Sequence, residues 1–340
     1  MVKSDESAEF CHRKYYGKVL CEYYEERTVM EKSEIKPYND LSGYLKRTYG
    51  EKIYKISLNG NMTCPNRDGK VGVGGCIFCS AGGSGDFAAN SSLSIFDQIE
   101  EAKKKVSKKI KNGKYIAYFQ AFTNTYAPVD YLEKIFTEAI SHPDIKILSI
   151  ATRPDCLPDD VCDLLERLNK IKPVWVELGL QTIHEETAVK INRGYPLPVF
   201  DKAVNDLKKR GISVIVHVII GLPGETKEMI YETVEYLSKK DIDGIKLQLL
   251  HVIDGTPLAE MWKRGEFRTL EKEEYTDILL GCIERLNPKT VVHRITGDSP
   301  PDLLLSPEWS RYKWSVLNYI LAEAKRRNSY QGKLFGGKND

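Results

Sequence analysis

The chain has 340 residues, 41% hydrophobic and 29% charged, with 50 Lys and Arg against 48 Asp and Glu for a net charge of +2. That length supports a sizeable core without disulfide or metal staples, and the balance excludes a disordered, collagen-like or membrane-spanning chain. A charge so near zero gives no argument for nucleic-acid binding by itself. No apolar run approaches 18 residues, and residues 1–10 carry Asp5, Glu6 and Glu9 where a signal peptide is hydrophobic. A cytoplasmic protein with no membrane partner is expected. Eight cysteines at irregular spacing do not make a secreted disulfide scaffold, so a tight group among them points to metal binding or catalysis.

Residues 1–37 are rich in tyrosine and basic residues (Tyr15, Tyr16, Tyr23, Tyr24, Arg13, Lys14, Lys18, Arg27), end at Pro37 and read as an N-terminal appendage. From residue 38 to 258 the chain settles into a strand and helix rhythm. Short apolar runs at 53–58, 115–120, 145–151, 174–180, 214–220 and 244–250 read as buried strands. Helical stretches lie at 95–110, 129–141, 158–169, 185–191, 197–210 and 226–239. Such alternation implies parallel strands joined by right-handed crossovers. The fold class is therefore α/β, a partial (β/α)6 barrel of the TIM type, open along one side. In the C-terminal extension, 259–340, a helix at 270–286, a strand at 290–295 and a helix at 308–327 are expected to serve as an α/β closing element.

Cys64, Cys76 and Cys79 form a C-x11-C-x2-C group directly after the first strand, in a loop rich in glycine. Thiolates suit iron–sulfur clusters and zinc, and glycines let backbone approach a bound group closely. Spacing alone leaves a cluster, a zinc site or free thiols open. Functional groups of parallel barrels collect at the C-terminal strand ends, and here each strand ends in polar residues. Strand two leads to Gln120, Thr123 and Asn124, and strand three to Arg153 and Asp155. Glu177 and Gln181 share parity on strand four, His217 interrupts strand five, and Lys246 and Gln248 share parity on strand six. Each has a plainer reading: a hydrogen-bonded core histidine for His217, a strand-end pair for Arg153 and Asp155, a core amide for Gln181. Cys11, Cys21, Cys156, Cys162 and Cys282 read as buried thiols. The helix with Lys103, Lys104, Lys105, Lys108, Lys109 and Lys111 is a solvated face or a phosphate contact, and Arg326, Arg327, Lys333 and Lys338 stand alike.

The three cysteines with Ala81-Gly-Gly-Ser-Gly-Asp-Phe, Glu177-Leu-Gly-Leu-Gln-Thr, Asn192-Arg-Gly and Ile220-Gly-Leu-Pro-Gly resemble the radical S-adenosylmethionine (radical SAM) superfamily over roughly residues 38–305. The likeness falls in the branch of the Elongator catalytic subunit and the oxygen-independent coproporphyrinogen oxidases. Tyr38-Asn-Asp-Leu-Ser-Gly-Tyr and Cys64-Pro-Asn-Arg-Asp-Gly resemble its single-domain bacterial and archaeal members, of which one bacterial type acts on the C5 side chain of the tRNA wobble uridine. The resemblance implies a [4Fe-4S] cluster on Cys64, Cys76 and Cys79, SAM on its fourth iron, reductive cleavage of SAM, and hydrogen abstraction by the 5′-deoxyadenosyl radical. Gln181, Arg193 and His217 match SAM-contacting positions, and Gln120, Asn124, Arg153 and Glu177 are further candidates. No residue is assigned to catalysis itself. The implied partners are tRNA and an electron donor such as flavodoxin or ferredoxin. The chain beyond the core is too short for an acetyltransferase domain, so acetyl transfer is not expected. A small-metabolite substrate and a zinc-stabilised, non-catalytic binding module are the alternatives.

Overall fold

Strand and helix alternate as the apolar periodicity dictates, and the alternation resolves into a single curled sheet. The computed structural model describes residues 36–83, 85–86, 88–107 and 113–336. Residues 1–35, with Cys11 and Cys21, and Lys108, Lys109, Lys111 and Lys338 lie outside the described residues. Residues Tyr38–Asp340 form one compact unit.

The unit opens with helix α1 (Leu41–Tyr49), started by Asp40, whose side chain accepts from the Ser42 and Gly43 amides, and stopped by Gly50 at φ 72°. The strands are β1 (Ile53–Leu58), β2 (Lys114–Phe119), β3 (Ile145–Thr152), β4 (Val174–Gln181), β5 (Ser213–Ile220) and β6 (Gly244–Leu249). Between them run α2 (Ile95–Ser107), α3 (Val129–Ser141), α4 (Asp159–Asn169), α5 (Glu185–Lys190), α6 (Leu197–Lys209) and α7 (Lys227–Ser238). A short β7 (Val252–Ile253), α8 (Pro257–Lys263), α9 (Lys272–Arg285), β8 (Val291–Arg294), β9 (Leu304–Ser306) and α10 (Lys313–Arg326) complete the chain.

The main sheet has seven parallel strands in the order β1-β2-β3-β4-β5-β6-β8, and β7 pairs antiparallel with β9. The six-strand expectation is thus extended by one strand from the C-terminal segment. The helix expected at 308–327 is broken: a 3-10 turn at Glu308–Arg311 precedes α10, and Tyr312 between them sits at φ −95° and ψ 67°, outside the helical region.

Outward-facing strand residues such as Ile56, Phe119, Leu148, Val176, Val216 and Leu247 pack against the helices in the main core. Inside the curl, α1 contributes Leu45 to a second cluster with Ile53, Ile116, Ile147, Trp175 and Ile215. These lie at or toward the N-terminal ends of β1 to β5, so α1 covers the bottom of the half-barrel, opposite the C-terminal strand ends. A third cluster joins Ile77 and Phe78 to Leu250, Val252, Leu258 and Ala259, tying the cysteine loop to the segment after β6.

Candidate functional site

The loop after β1 is folded by its own polar side chains. Arg67 donates to the Cys79 carbonyl at 3.0 Å and the Ser80 carbonyl at 2.6 Å, with its guanidinium 5.4 Å from the Phe122 ring centroid. Asn192, at φ 54°, donates to the Gly75 carbonyl at 2.7 Å, and Asn66 donates to the Asn192 carbonyl at 2.6 Å. The Ile77 amide reaches the Ile191 carbonyl, and the Leu258 amide reaches that of Ile77. Gly74 and Gly75 take φ 83° and 85°, left-handed values that a side chain would strain, and they turn the chain into Cys76.

Cys64, Cys76 and Cys79 all line one cavity of about 520 Å³ at the open end of the barrel. Burial, then the neighbouring Cys79 and Cys64 thiols, push the Cys76 thiol up to about 12, while Arg153 opposes the rise. A buried thiol beside two others suits a cationic partner that stabilises thiolates. Among the described residues, no three His, Cys, Asp or Glu groups are arranged to hold a single metal ion. Three cysteine sulfurs lining one cavity match the thiolate donor set of an iron–sulfur cluster.

The cavity reaches down into the barrel, where its floor is charged. Glu177 on β4 is fully buried and accepts from Lys55 at 2.7 Å, Ser149 at 2.6 Å and His217 at 2.8 Å, and it pairs with Lys246. Burial opposes its ionisation, but the Lys246 and Lys55 ammonium groups and the His217 ring hold its carboxyl well below the usual range. Burial pulls Lys246 down to about 7 against the attraction of Glu177, with Lys55 and Arg294 adding repulsion. Burial and Lys246 pull His217 down to about 4. Tyr118 accepts from Lys246 at 3.2 Å, and its phenol is raised well above normal by burial and the Glu177 charge.

Of the residues expected at the site, Gln120, Arg153, Glu177, Gln181, Arg193 and His217 line this cavity, as does Thr123. Gln181 sits at φ 70° beside a bulge in the β4–β5 register, and its buried side-chain oxygen has no hydrogen-bond partner. Gln120 accepts from Ser57 at 2.8 Å. Arg153 forms the strand-end pair with Asp155 at 2.9 and 2.7 Å and donates to the Arg193 carbonyl. Arg193 is buried and donates to the carbonyls of Thr182, Tyr195 and Leu180, so its guanidinium braces the end of β4. Asn124 is not brought to the cavity: it is fully buried and its amide donates to the Phe119 and Ala151 carbonyls, tying β2 to β3. Cys156, Cys162 and Cys282 are buried thiols. Lys103 is held by Glu100 at 2.6 Å and Asp144 at 2.8 Å, while Lys105 is exposed. Lys55, Ser149, Tyr118 and Arg294 were not singled out by the sequence. Lys55 was findable, since it breaks the apolar pattern of β1 with the same parity as Ser57. Arg294 was hidden by the bulge in the β6–β8 register.

A half-barrel with a cysteine loop at the end of its first strand and polar strand ends around one cavity defines an enzyme of the α/β partial-barrel class with its site at the C-terminal strand ends. Residues 64–237 match the family model described as Radical SAM superfamily, and residues 242–326 match the Radical_SAM C-terminal domain. The chain belongs to the radical SAM superfamily, whose members use a [4Fe-4S] cluster and SAM. It is 47% identical over 300 residues to the uncharacterized protein YtqA of Bacillus subtilis, covering 88% of this chain and 93% of that one. It is 34% identical over 163 residues to the tRNA uridine(34) acetyltransferase of Methanocaldococcus infernus, covering 46% of this chain and 30% of that protein. Its fold is similar to that of the Methanocaldococcus infernus Elp3 structure, with a TM-score of 0.64 at 18% identity, over 82% of this chain and 64% of that one. Among the described residues no helix is long and apolar enough to cross a membrane.

Proposed function

We propose that this chain holds a [4Fe-4S] cluster on Cys64, Cys76 and Cys79, binds SAM in the adjoining cavity, and acts on the C5 side chain of the tRNA wobble uridine. The observation that carries the cofactor reading is the cavity lined together by three cysteine thiols and by the unpartnered Gln181 oxygen. When bound, the cluster supplies an electron and SAM the carbon fragment that takes a substrate hydrogen. The chain's own residues hold and shield. Arg67, Asn66 and Asn192 fix the thiol-bearing loop, and Gln181 offers an acceptor to a donor group of SAM. Gln120 and His217 line the walls, and the apolar cluster around Ile77 and Phe78 packs behind the loop. Arg153 and Glu177 contribute charge at the rim and floor. Asn124 acts on that wall from behind it.

The tRNA reading is supported by the relative whose name specifies tRNA uridine 34, matched over less than half of this chain. A flavodoxin or ferredoxin is the electron donor we propose, in the cytoplasm, with residues 38–258 as the catalytic core, 259–340 as its extension and 1–37 as an appendage. Mass spectrometry of tRNA nucleosides from cells with and without the gene tests it: loss of a wobble-uridine modification supports the substrate, and unchanged nucleosides remove it. A small-metabolite substrate is the second reading, favoured by a cavity that descends to Glu177 and Lys246 and by the engagement of Lys103 in ion pairs. Salt-dependent gel retardation of tRNA separates the two.

A further inference from the structure

On the far wall of the cavity each carboxylate is shared by two cations. His217, Lys246 and Arg294 are register partners across the adjacent strands β5, β6 and β8, and all three line the cavity. Two of them, Lys246 and Arg294, are permanent or potential cations placed side by side. Of the carboxylates beside this row, Glu177 is shared among Lys246, Lys55, Ser149 and His217. Asp298 is itself shared by Arg294 at 3.0 Å and Lys313 at 2.5 Å. The two cavity-lining cations, Lys246 and Arg294, therefore each share their carboxylate with a second cation outside the lining, Lys55 on Glu177 and Lys313 on Asp298. Adjacent like charges in a low-dielectric wall repel unless an anion lies between them. Beside them the His251 ring lines the same cavity with its buried Nε2 unpartnered, a further group able to donate a hydrogen bond. The cysteine loop follows β1, at the opposite edge of the sheet from β8. His217, Lys246 and Arg294 thus come from other strands than the one that carries the cysteine loop.

We infer that this row is a substrate subsite for an anionic group, a carboxylate or a phosphate, seated against Lys246 and Arg294 with His251 beside it. The subsite deepens the proposed function by naming the chemistry of the substrate, and it rests on that reading in taking the cavity as the substrate chamber. A bound anion adds a charge-assisted partner to each cation and removes their mutual repulsion. Lys246, drawn toward neutrality by its surroundings, becomes fully charged when an anion sits beside it.

The test uses the full chain, prepared and cluster-loaded without oxygen. Thermal unfolding is followed against inorganic phosphate in one arm and acetate in the other, with ionic strength held constant by chloride. A saturable rise in Tm with phosphate, or with acetate, beyond that in chloride is expected, and which arm responds identifies the group. Arg294→Gln should weaken the apparent affinity about tenfold or more, the scale of one lost hydrogen bond to a charged group. Lys313→Gln removes an equal charge from the exposed side of Asp298 and should leave affinity unchanged. No response beyond chloride in either arm overturns the subsite, as does equal weakening by the two variants. Iron content and SAM cleavage measured on the same preparations report separately on the proposed cofactors, so failure of one reading is distinguishable from failure of the other.

Discussion

Replacing Glu177 with glutamine tests whether the charged floor holds the barrel together. The substitution keeps the shape but removes the only carboxylate within the ring of Lys55, Lys246, Ser149 and His217. Breaking a buried ion pair while leaving its partner costs about 3–5 kcal/mol. At roughly 2–4 °C of melting temperature per kcal/mol for a domain near this size, Tm should fall by about 6–20 °C. The loss has a pH signature. Lys246 is held near 7 in the folded chain against 10.5 for the free side chain, so between those values the unfolded state binds more protons and stability rises with pH. Without Glu177 the folded value drops further, the window widens downward, and the variant should regain stability as pH is raised from 6 to 9 more steeply than the parent. Adding Lys246→Met to Glu177→Gln should restore much of the loss, because the stranded cation is gone. Thermal and urea unfolding at several pH values provide the assay. A Glu177→Gln Tm within about 2 °C of the parent at pH 6, or a double variant less stable than the single one, would refute the argument.

His217→Asn should flatten a second pH window. The folded histidine is pulled from 6.5 to about 4, so stability falls as pH drops through that interval, by up to about 3 kcal/mol; unfolding free energies between pH 6.5 and 4 show whether the variant removes that slope. Cys76→Ala should lose most of its iron and sulfide and form no 5′-deoxyadenosine from SAM under reducing, anaerobic conditions. Full iron with undiminished SAM cleavage in that variant would overturn the cluster assignment. Leu45→Ala opens a cavity under the barrel between α1 and the bottom of the strands, where Leu45 is 3% exposed. Urea unfolding should register a loss of about 2–5 kcal/mol, with iron content unchanged because the cysteine loop lies at the other end.

The strands were legible because parallel strands covered on both sides read as continuous apolar runs, and β1 begins and ends where its run does. Helix α1 was not read as a helix at all: its nine residues include Ser42, Gly43 and Tyr44, weak helix formers, and it is held by Asp40 at its start and by the barrel bottom it plugs. The β7–β9 pair escaped for a similar reason, since two- and three-residue strands carry no period, and only the tertiary cluster with Ile77 and Leu258 fixes them.

Site residues divide along the same line. Parity placed Glu177, Gln181, Lys246 and Gln248 on one face, and the cavity contains them all. Parity says which side of a sheet a residue faces, and nothing about whether its hydrogen bonds are already taken. Arg193 and Asn124 illustrate the gap: both are polar residues of the loops, yet the guanidinium of one braces β4 and the amide of the other joins β2 to β3. Asn124 and Gln181 each have a buried side-chain oxygen with nothing to accept from, but only Gln181 lines the cavity. Because a buried polar atom without a partner is costly, the Gln181 oxygen, more than the count of polar residues at the rim, marks where a ligand's donor belongs.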